Sequence, residues 1–425
     1  MAGSYITEKY SFKTDIITSY DGREQRIATR QNPRHLVTYD YPSMNCLEAQ
    51  WLRGLMRMRQ SDTYFIPMWH NVIKLRENYD PSNVNLNHYL RIEEDGMYDL
   101  INCEAIEIFK QDDVNQSQNI VRRVRQYYNG MIRMREKIDI PLDTRNTFIY
   151  PLIKCSTQPS TGLQYVYSNG SNVPISFEDL LEIPPDIVVP HSYIYEYEDY
   201  PLRNRWGLPG DINGVEMFFI TPQWAEDSGW GLSVEKNVNR LDNETGMFWY
   251  DLKNVKSYDV HTMQVTLMNK KEIHNMVKFF KRMKGKWKSF YAPTWVNDID
   301  IYGDCVAGQS YIYTSWNKIK KYYLSNKREK KLVIFTKDWK SYIVDVWTYL
   351  DEKLPSGEKV GKLMLKSPLT STISNDNILM ASYLNRVRFD SDDLQLNYES
   401  NIMANTTLTL REVDDIHTGV SNTSP

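Results

Sequence analysis

The residues able to do chemistry in this chain are seven histidines, four cysteines and a few acidic and basic clusters. Cys46, Cys103, Cys155 and Cys305 lie far apart and share no CxxC spacing. That pattern argues against a zinc site or a disulfide framework and fits buried free thiols made in a reducing compartment. No two histidines fall within four residues of each other, so there is no HExxH pair. A lone histidine such as His70 or His274 reads as a surface or hydrogen-bonded core residue. The acids Glu93-Glu94-Asp95, Asp112-Asp113, Glu196/Glu198/Asp199 and Asp390/Asp392/Asp393 could supply carboxylates for glycoside hydrolysis. That reaction needs two of them to converge across one cleft, and their spacing reads more simply as turn and surface acids.

Phosphate-cradling glycine loops of the form GxxxxGKS or GxGxxG, and the GxSxG nucleophile elbow, do not occur. Lys278, Lys281, Arg282, Lys284, Lys286 and Lys288 interleave with Phe279, Phe280 and Trp287, a mixture that can grip single-stranded nucleic acid. Lys278 and Arg282, however, fall opposite an apolar helical stripe, as on a solvated face. Arg122, Arg123, Arg125, Arg133, Arg135 and Lys137 form a second basic patch. A net charge of −3 provides no positive field of the kind a dedicated nucleic-acid binder uses. The expectation is a protein without a catalytic, cofactor or metal site, and not an enzyme.

The elements around these residues carry a repeat. Tyr64-Phe65-Ile66-Pro67-Met68-Trp69 returns as Phe290-Tyr291-Ala292-Pro293-Thr294-Trp295, with Trp69 and Trp295 226 positions apart. Upstream of the first copy, Leu47, Trp51, Leu55 and Met58 recur at helical spacing, with Ser43 as N-cap and Gln60-Ser61-Asp62 as exit. Upstream of the second, Ile273, Met276, Val277 and Phe280 trace a helical stripe capped by Asn269 and ended by Gly285. Val37, Tyr39 and Tyr41 match Met263, Val265 and Leu267 as half-buried strands before each helix. The expected buried repeat positions are therefore Leu47, Trp51, Leu55, Pro67 and Trp69, and Ile273, Val277, Phe280, Pro293 and Trp295.

Other strands read from alternation are Arg23–Thr29, Ile101–Phe109, Thr147–Ile153, Gln164–Tyr167, Gly231–Val238 and Met247–Leu252. Asp242 to Gly246 reads as a hairpin turn. Ser310–Ser315, Leu332–Thr336, Tyr342–Tyr349, Leu384–Phe389, Leu394–Tyr398 and Thr406–Val413 follow. At 425 residues, with 30 tyrosines and 11 tryptophans, the chain can bury several cores. The expected class is predominantly β with flanking helices (α+β). Residues 1–80 form a first unit, 81–220 an inserted β-rich module and linker arm, 221–303 a second unit, and 304–425 a C-terminal β-rich region completing it. Tyr193 to Asp199, then Pro201 to Gly214, reads as an extended arm, and the last dozen residues as frayed. No apolar run approaches the roughly 20 residues that span a bilayer, and Met1 to Lys9 has no secretion-signal core. The expectation is a soluble protein without a membrane anchor.

The strand, helix and aromatic-Pro-x-Trp strand, together with Gly22 to Arg26, Pro33-Arg34, Trp224, Trp230 to Val234, Arg386 to Asp390, Leu396-Asn397-Tyr398 and Leu410 to Val413, resemble bacteriophage tail-tip proteins. These are the distal tail and minor tail proteins built on the tail-tube fold, and the resemblance covers about half the chain. It implies two tail-tube-like units and a three-fold or six-fold ring of copies. It also implies, as neighbours, the tail tube protein and the hub and receptor-binding proteins. Genomic DNA would only pass through the channel, and the place would be the virion tail tip, assembled in the bacterial host cytoplasm. No catalytic residue comes with the resemblance. The other class the aromatic content suits is a carbohydrate-binding or carbohydrate-cleaving module acting on host surface glycans.

Overall fold

A computed structural model describes residues 5–413 except 20–23, 31, 59–61, 84–87, 94–102, 112–117, 129, 158–163, 168–169, 181–209, 225–229, 243, 245, 247, 321–323 and 325–328. The expected acids Glu94-Asp95, Asp112-Asp113 and Glu196/Glu198/Asp199, the arm up to Pro209, and the last dozen residues lie outside the described residues.

The chain begins with β1 (Tyr5–Ser11), β2 (Thr14–Thr18), β3 (Glu24–Ala28) and β4 (Arg34–Asn45), followed by helix α1 (Cys46–Met58) and β5 (Thr63–Pro67). β6 (Ile73–Lys74), β7 (Tyr89–Arg91), β8 (Ala105–Lys110), β9 (Gln118–Tyr128) and β10 (Met131–Met134) come next. β11 (Thr147–Thr157), β12 (Gln164–Tyr167) and β13 (Gly170–Asp179) close this half. Two short strands, β14 (Asp211–Ile212) and β15 (Val215–Glu216), precede β16 (Gly231–Asp242), β17 (Phe248–Leu267), helix α2 (Lys270–Met283) and β18 (Phe290–Pro293). The last strands are β19 (Tyr311–Ser315), β20 (Lys331–Thr336), β21 (Ser341–Lys353) and β22 (Lys359–Leu365). They continue as β23 (Ile378–Phe389), β24 (Asp393–Tyr398) and β25 (Ala404–Glu412).

The fold is predominantly β, and its ladders repeat. In the first half, antiparallel pairing runs β1, β4, β13, β11, β5. In the second it runs β16, β17, β25, β23, β18. β8 joins the front part of β11 just as β20 joins the front part of β23. The meanders β7, β10, β9, β8 and β19, β22, β21, β20 match strand for strand. Even an irregularity is shared. From Ser11 to Thr14 the partner residue falls from Arg34 to Ala28, and from Lys236 to Val238 it falls from Ser257 to Leu252. Each second strand thus carries three extra residues at the same place, so β1 with β2 corresponds to β16, and β3 with β4 to β17.

The duplication therefore reaches further than the sequence repeat. Residues 81–179 are not a separate insertion: β11 pairs with β5, and β13 with β4, so this stretch completes the first sheet. β19 to β25 complete the second in the same way. Two cores fill the meanders, one around Ile106, Tyr127 and Ile149, the other around Ile312, Ile334 and Leu363. A third lies under α2, built from Met263, Val265, Met276, Phe280, Phe290 and Phe389.

Both helices start on the same device. The Asn269 side chain accepts the Glu272 N–H at 2.8 Å, and the Glu272 carboxylate returns to the Met268 N–H at 2.9 Å. At α1 the Asn45 side chain accepts from the Glu48 N–H at 2.8 Å, and the Glu48 carboxylate from the Asn45 N–H at 3.0 Å. Two donors of each first turn are satisfied reciprocally. The cap of α1 is thus Asn45, which makes these bonds, and not Ser43, two residues earlier in β4.

α2 ends through left-handed Lys284 (φ 51°) and Gly285 (φ 60°). A Cβ at Gly285 would stand 2.5 Å from Asp392 Oδ1 and 3.0 Å from the Asp392 Cα. Asp392 has little freedom to move, because it accepts the Thr14 and Lys286 N–H groups at 2.7 and 2.9 Å. Gly285→Ala is accordingly expected to destabilise the protein by about 1–3 kcal/mol, read as a lowered thermal midpoint. An unchanged midpoint would mean that this turn is not as tight as described.

Candidate functional site

Strand β1 is held on both edges. It pairs with β4 of its own half (Glu8↔Val37) and with β24 of the other (Glu8↔Leu396), so the two sheets are continuous through it. Around β1 the halves share a buried polar cluster. Glu8 is 3% exposed. Its carboxylate meets His70 Nε2 at 2.9 Å and the Tyr398 hydroxyl at 2.8 Å, with His35 Nε2 at 3.3 Å. His35 Nδ1 faces Asp179 at 3.4 Å, and its ring stacks on Tyr10 with centroids 4.5 Å apart. Burial alone would raise the Glu8 carboxyl, but the charge of His70 and the bonds from both imidazoles outweigh it and hold the group well below the usual carboxylate range. Burial would lower His35, but bonds to Asp179 and Glu8 overcome it and raise the imidazole.

Further contacts bind the same junction. Arg388, 3% exposed, is bidentate to Glu24 at 2.8 and 2.9 Å and also meets Asp390 at 2.9 Å. The Asp392 carboxylate accepts the Thr14 hydroxyl at 2.9 Å, so this acid works as a structural turn residue between β23 and β24. On α2, Lys281 lies over the Tyr10 ring at 4.9 Å and Lys270 Nζ donates to the Val72 carbonyl at 2.6 Å. Burial lowers the Lys281 ammonium, and burial with Lys278 and Lys281 nearby drives His274 well down. Arg282 is not on a solvated face as its spacing suggests; it pairs with Glu216 at 2.7 Å.

Nothing in this cluster presents a nucleophile, and each acid in it is already engaged by a base or a hydroxyl. Among the described residues no group of three or more His, Cys, Asp or Glu side chains is arranged to hold a metal ion. Several large apolar side chains are exposed as well. The β2–β3 end of the first hairpin is tied to the second half through Glu24. The matching β16–β17 end carries Leu241, Phe248, Trp249 and Tyr250, each 49–71% exposed, and nearer the base of β16 Leu232 and Val234 are 51% and 54% exposed. The β16 edge away from β17 has no partner strand among the described residues.

The expected repeat positions divide. Ile273, Val277, Phe280, Pro293 and Trp295 are buried in the second half. Pro67 and Trp69 are half-buried, with Trp69 edge-on to Tyr150 at 4.9 Å. Leu47 and Trp51 are not core: they are 78% and 69% exposed, Met58 is 85% exposed and Leu55 half-buried. The inward stripe of α1 is Ala49, Leu52 and Met56, packed on Val173, Ile175 and Tyr41.

The physical reason is a slip between the two halves. Tyr41 stands four residues before its cap Asn45, whereas Leu267 stands two before Asn269. The caps are 224 positions apart and the tryptophans 226. Two residues turn a helix by about 200°, so an alignment on the tryptophans points the wrong face inward. Sequence reasoning also missed the Glu8–His35–His70 cluster, whose members are brought together only by strand pairing.

No family model matches the chain, and no curated protein matches it either.

Proposed function

We propose that this protein is a ring-forming structural component of a bacteriophage tail tip, joining the tail tube to the hub and receptor-binding apparatus. The observation that carries the reading is one junction used once and left open once. Within the chain, the first hairpin lies against the β23–β25 end of the second half. The matching β16–β17 hairpin has no such neighbour among the described residues and projects exposed apolar side chains. The same contact made by the second hairpin on the next chain would be head-to-tail, and head-to-tail contacts close into rings when their rotation allows. Strand edges then find partners in the neighbour. The central hole would pass DNA, and the tail tube and hub proteins would meet the two ring faces.

The test is native mass spectrometry and electron microscopy of the purified protein, alone and with its tail neighbours. Rings of three or six chains are expected. The double variant Leu241→Asp/Trp249→Asp should keep its thermal midpoint, since exposed positions move stability by about 0.5 kcal/mol or less, yet lose the ring. A protein that stays monomeric with its neighbours present, or rings indifferent to this variant, would sink the proposal. Specific capture of one glycan by the monomer would favour the carbohydrate reading.

A further inference from the structure

The outer flank of each helix is treated differently in the two halves. In the second half it is covered by an extended segment from the residues just before β16. Met217 bridges in parallel to Tyr291 of β18, and the Phe218 N–H donates to the Tyr291 carbonyl at 2.7 Å. The Phe218 ring, fully buried, lies 5.4 Å from Phe279 of α2 and 5.9 Å from Phe290. Glu216 takes three bonds from Arg282, at 3.2, 3.0 and 2.7 Å. A short strand has been added to the free edge of β18, with its aromatic side chain under the helix.

With the halves aligned on their caps, Trp51 stands where Asn275 does, Leu55 where Phe279 does, and Met58 where Arg282 does. In the first half no segment among the described residues covers this flank in that way. Leu47, Trp51 and Met58 are largely exposed, as is Phe65 on β5 at 47%, and among the described residues β11 is the one strand that pairs with β5. The chemistry is the reverse of what solvent selects. The covered flank carries Asn275 and Arg282 beside Phe279, while the open one carries tryptophan, leucine and methionine on successive turns. Contiguous exposed apolar surface of this kind marks a contact site.

We propose that the flank between α1 and the free edge of β5 receives an extended apolar strand from another polypeptide, added parallel to β5 as Val215–Phe219 is added to β18. Strand addition to an open edge takes affinity from main-chain bonds and specificity from side-chain pockets. One difference defines the occupant. Met58 replaces Arg282, so the residue matching Glu216 is apolar, not acidic. The acceptor matching Tyr291 is the Phe65 carbonyl, because the Met68 N–H donates to the Pro151 carbonyl as the Thr294 N–H does to that of Tyr383. Apolar burial on Trp51 and Leu55 adds to the bond made there. The assignment does not depend on the ring reading, since it concerns a flank away from the projecting hairpin.

The probe is a synthetic peptide of residues Asp211 to Thr221 carrying Glu216→Leu, with a photo-cross-linker in place of Phe218, added to the full chain. Hydrogen exchange should show new protection in Thr63–Pro67 and in α1, and the cross-link should map to α1. Trp51→Asp in the protein should weaken binding about tenfold or more, and the peptide that keeps Glu216 should bind more weakly than the one carrying Glu216→Leu. Protection confined to β18 and α2, binding indifferent to Trp51→Asp, or tighter binding of the peptide that keeps Glu216 would overturn the proposal. So would self-association of the protein abolished by Trp51→Asp, because the occupant would then be a second copy of this flank.

Discussion

Phe280→Asp is expected to prevent folding of the second half, whereas Trp51→Asp should leave the thermal midpoint almost unmoved. Phe280 is 1% exposed and sits between Phe389, at 5.2 Å, and Phe12 from the first half, at 5.7 Å. A carboxylate there has no partner base within its aromatic surroundings, and burying it unpaired costs several kcal/mol on top of the lost ring contacts. A loss above about 4 kcal/mol is a large fraction of a domain's stability. Trp51 carries the same formal change on a side chain that already faces solvent, where shifts stay within about 0.5 kcal/mol. Both helices were expected to bury their long apolar stripes; only α2 does. Comparable losses for the two variants would show that the α1 faces have been assigned the wrong way round.

Glu8→Gln should cost about 3–5 kcal/mol, the usual consequence of removing one partner from a buried charged cluster, and should change the shape of the pH profile. The folded Glu8 carboxyl titrates well below 4.5, so its contribution is fully present above pH 4.5 and is lost as the pH falls through the folded value. His35 is raised above 6.5, so its contribution is fully present below pH 6.5 and is lost as the pH rises through the folded value. The two together put the greatest stability of the junction between about pH 4.5 and 6.5. Urea midpoints measured from pH 4 to pH 9 should rise and then fall for the native protein, and the fall at the alkaline side should be blunted in the Gln variant because His35 loses the carboxylate that raises it. Parallel profiles for the two proteins would mean that this cluster does not hold the halves together.

What the sequence made legible follows from what local spacing can carry. Val265 and its matches show the strand period, Asn269 and Gly285 show both ends of α2, and the text around Pro67 and Pro293 shows that something is repeated. Strands such as β9 stayed hidden because Arg122, Arg123 and Arg125 make its text look like a basic patch, while its buried residues, Val124 and Tyr127, are few. β22 was missed for a similar reason, since Gly361 interrupts its alternation; a Cβ there would sit 2.1 Å from the Tyr349 hydroxyl. The full extent of the duplication is invisible locally. It resides in which strand pairs with which, and residues 105–179 and 331–412 share pairing order with little shared text. The junction was the least legible part, because Glu8, His70 and Tyr398 meet across most of the chain's length. The open flank of α1 was legible as an apolar stripe, and only its address was wrong.

The double-sided grip on β1 also decides how the molecule carries load. β1 runs antiparallel to β24 and β24 antiparallel to β25, so β1 and β25 point the same way. Tension applied between Tyr5 and Glu412 pulls the start of one strand against the end of the other, along their length. The ladder from Ile6↔Tyr398 to Ser11↔Asp393 is then loaded in shear, with its pairs sharing the force, and does not peel open one pair at a time. Stretched between these ends, the molecule would strain its loops before it separated its two halves.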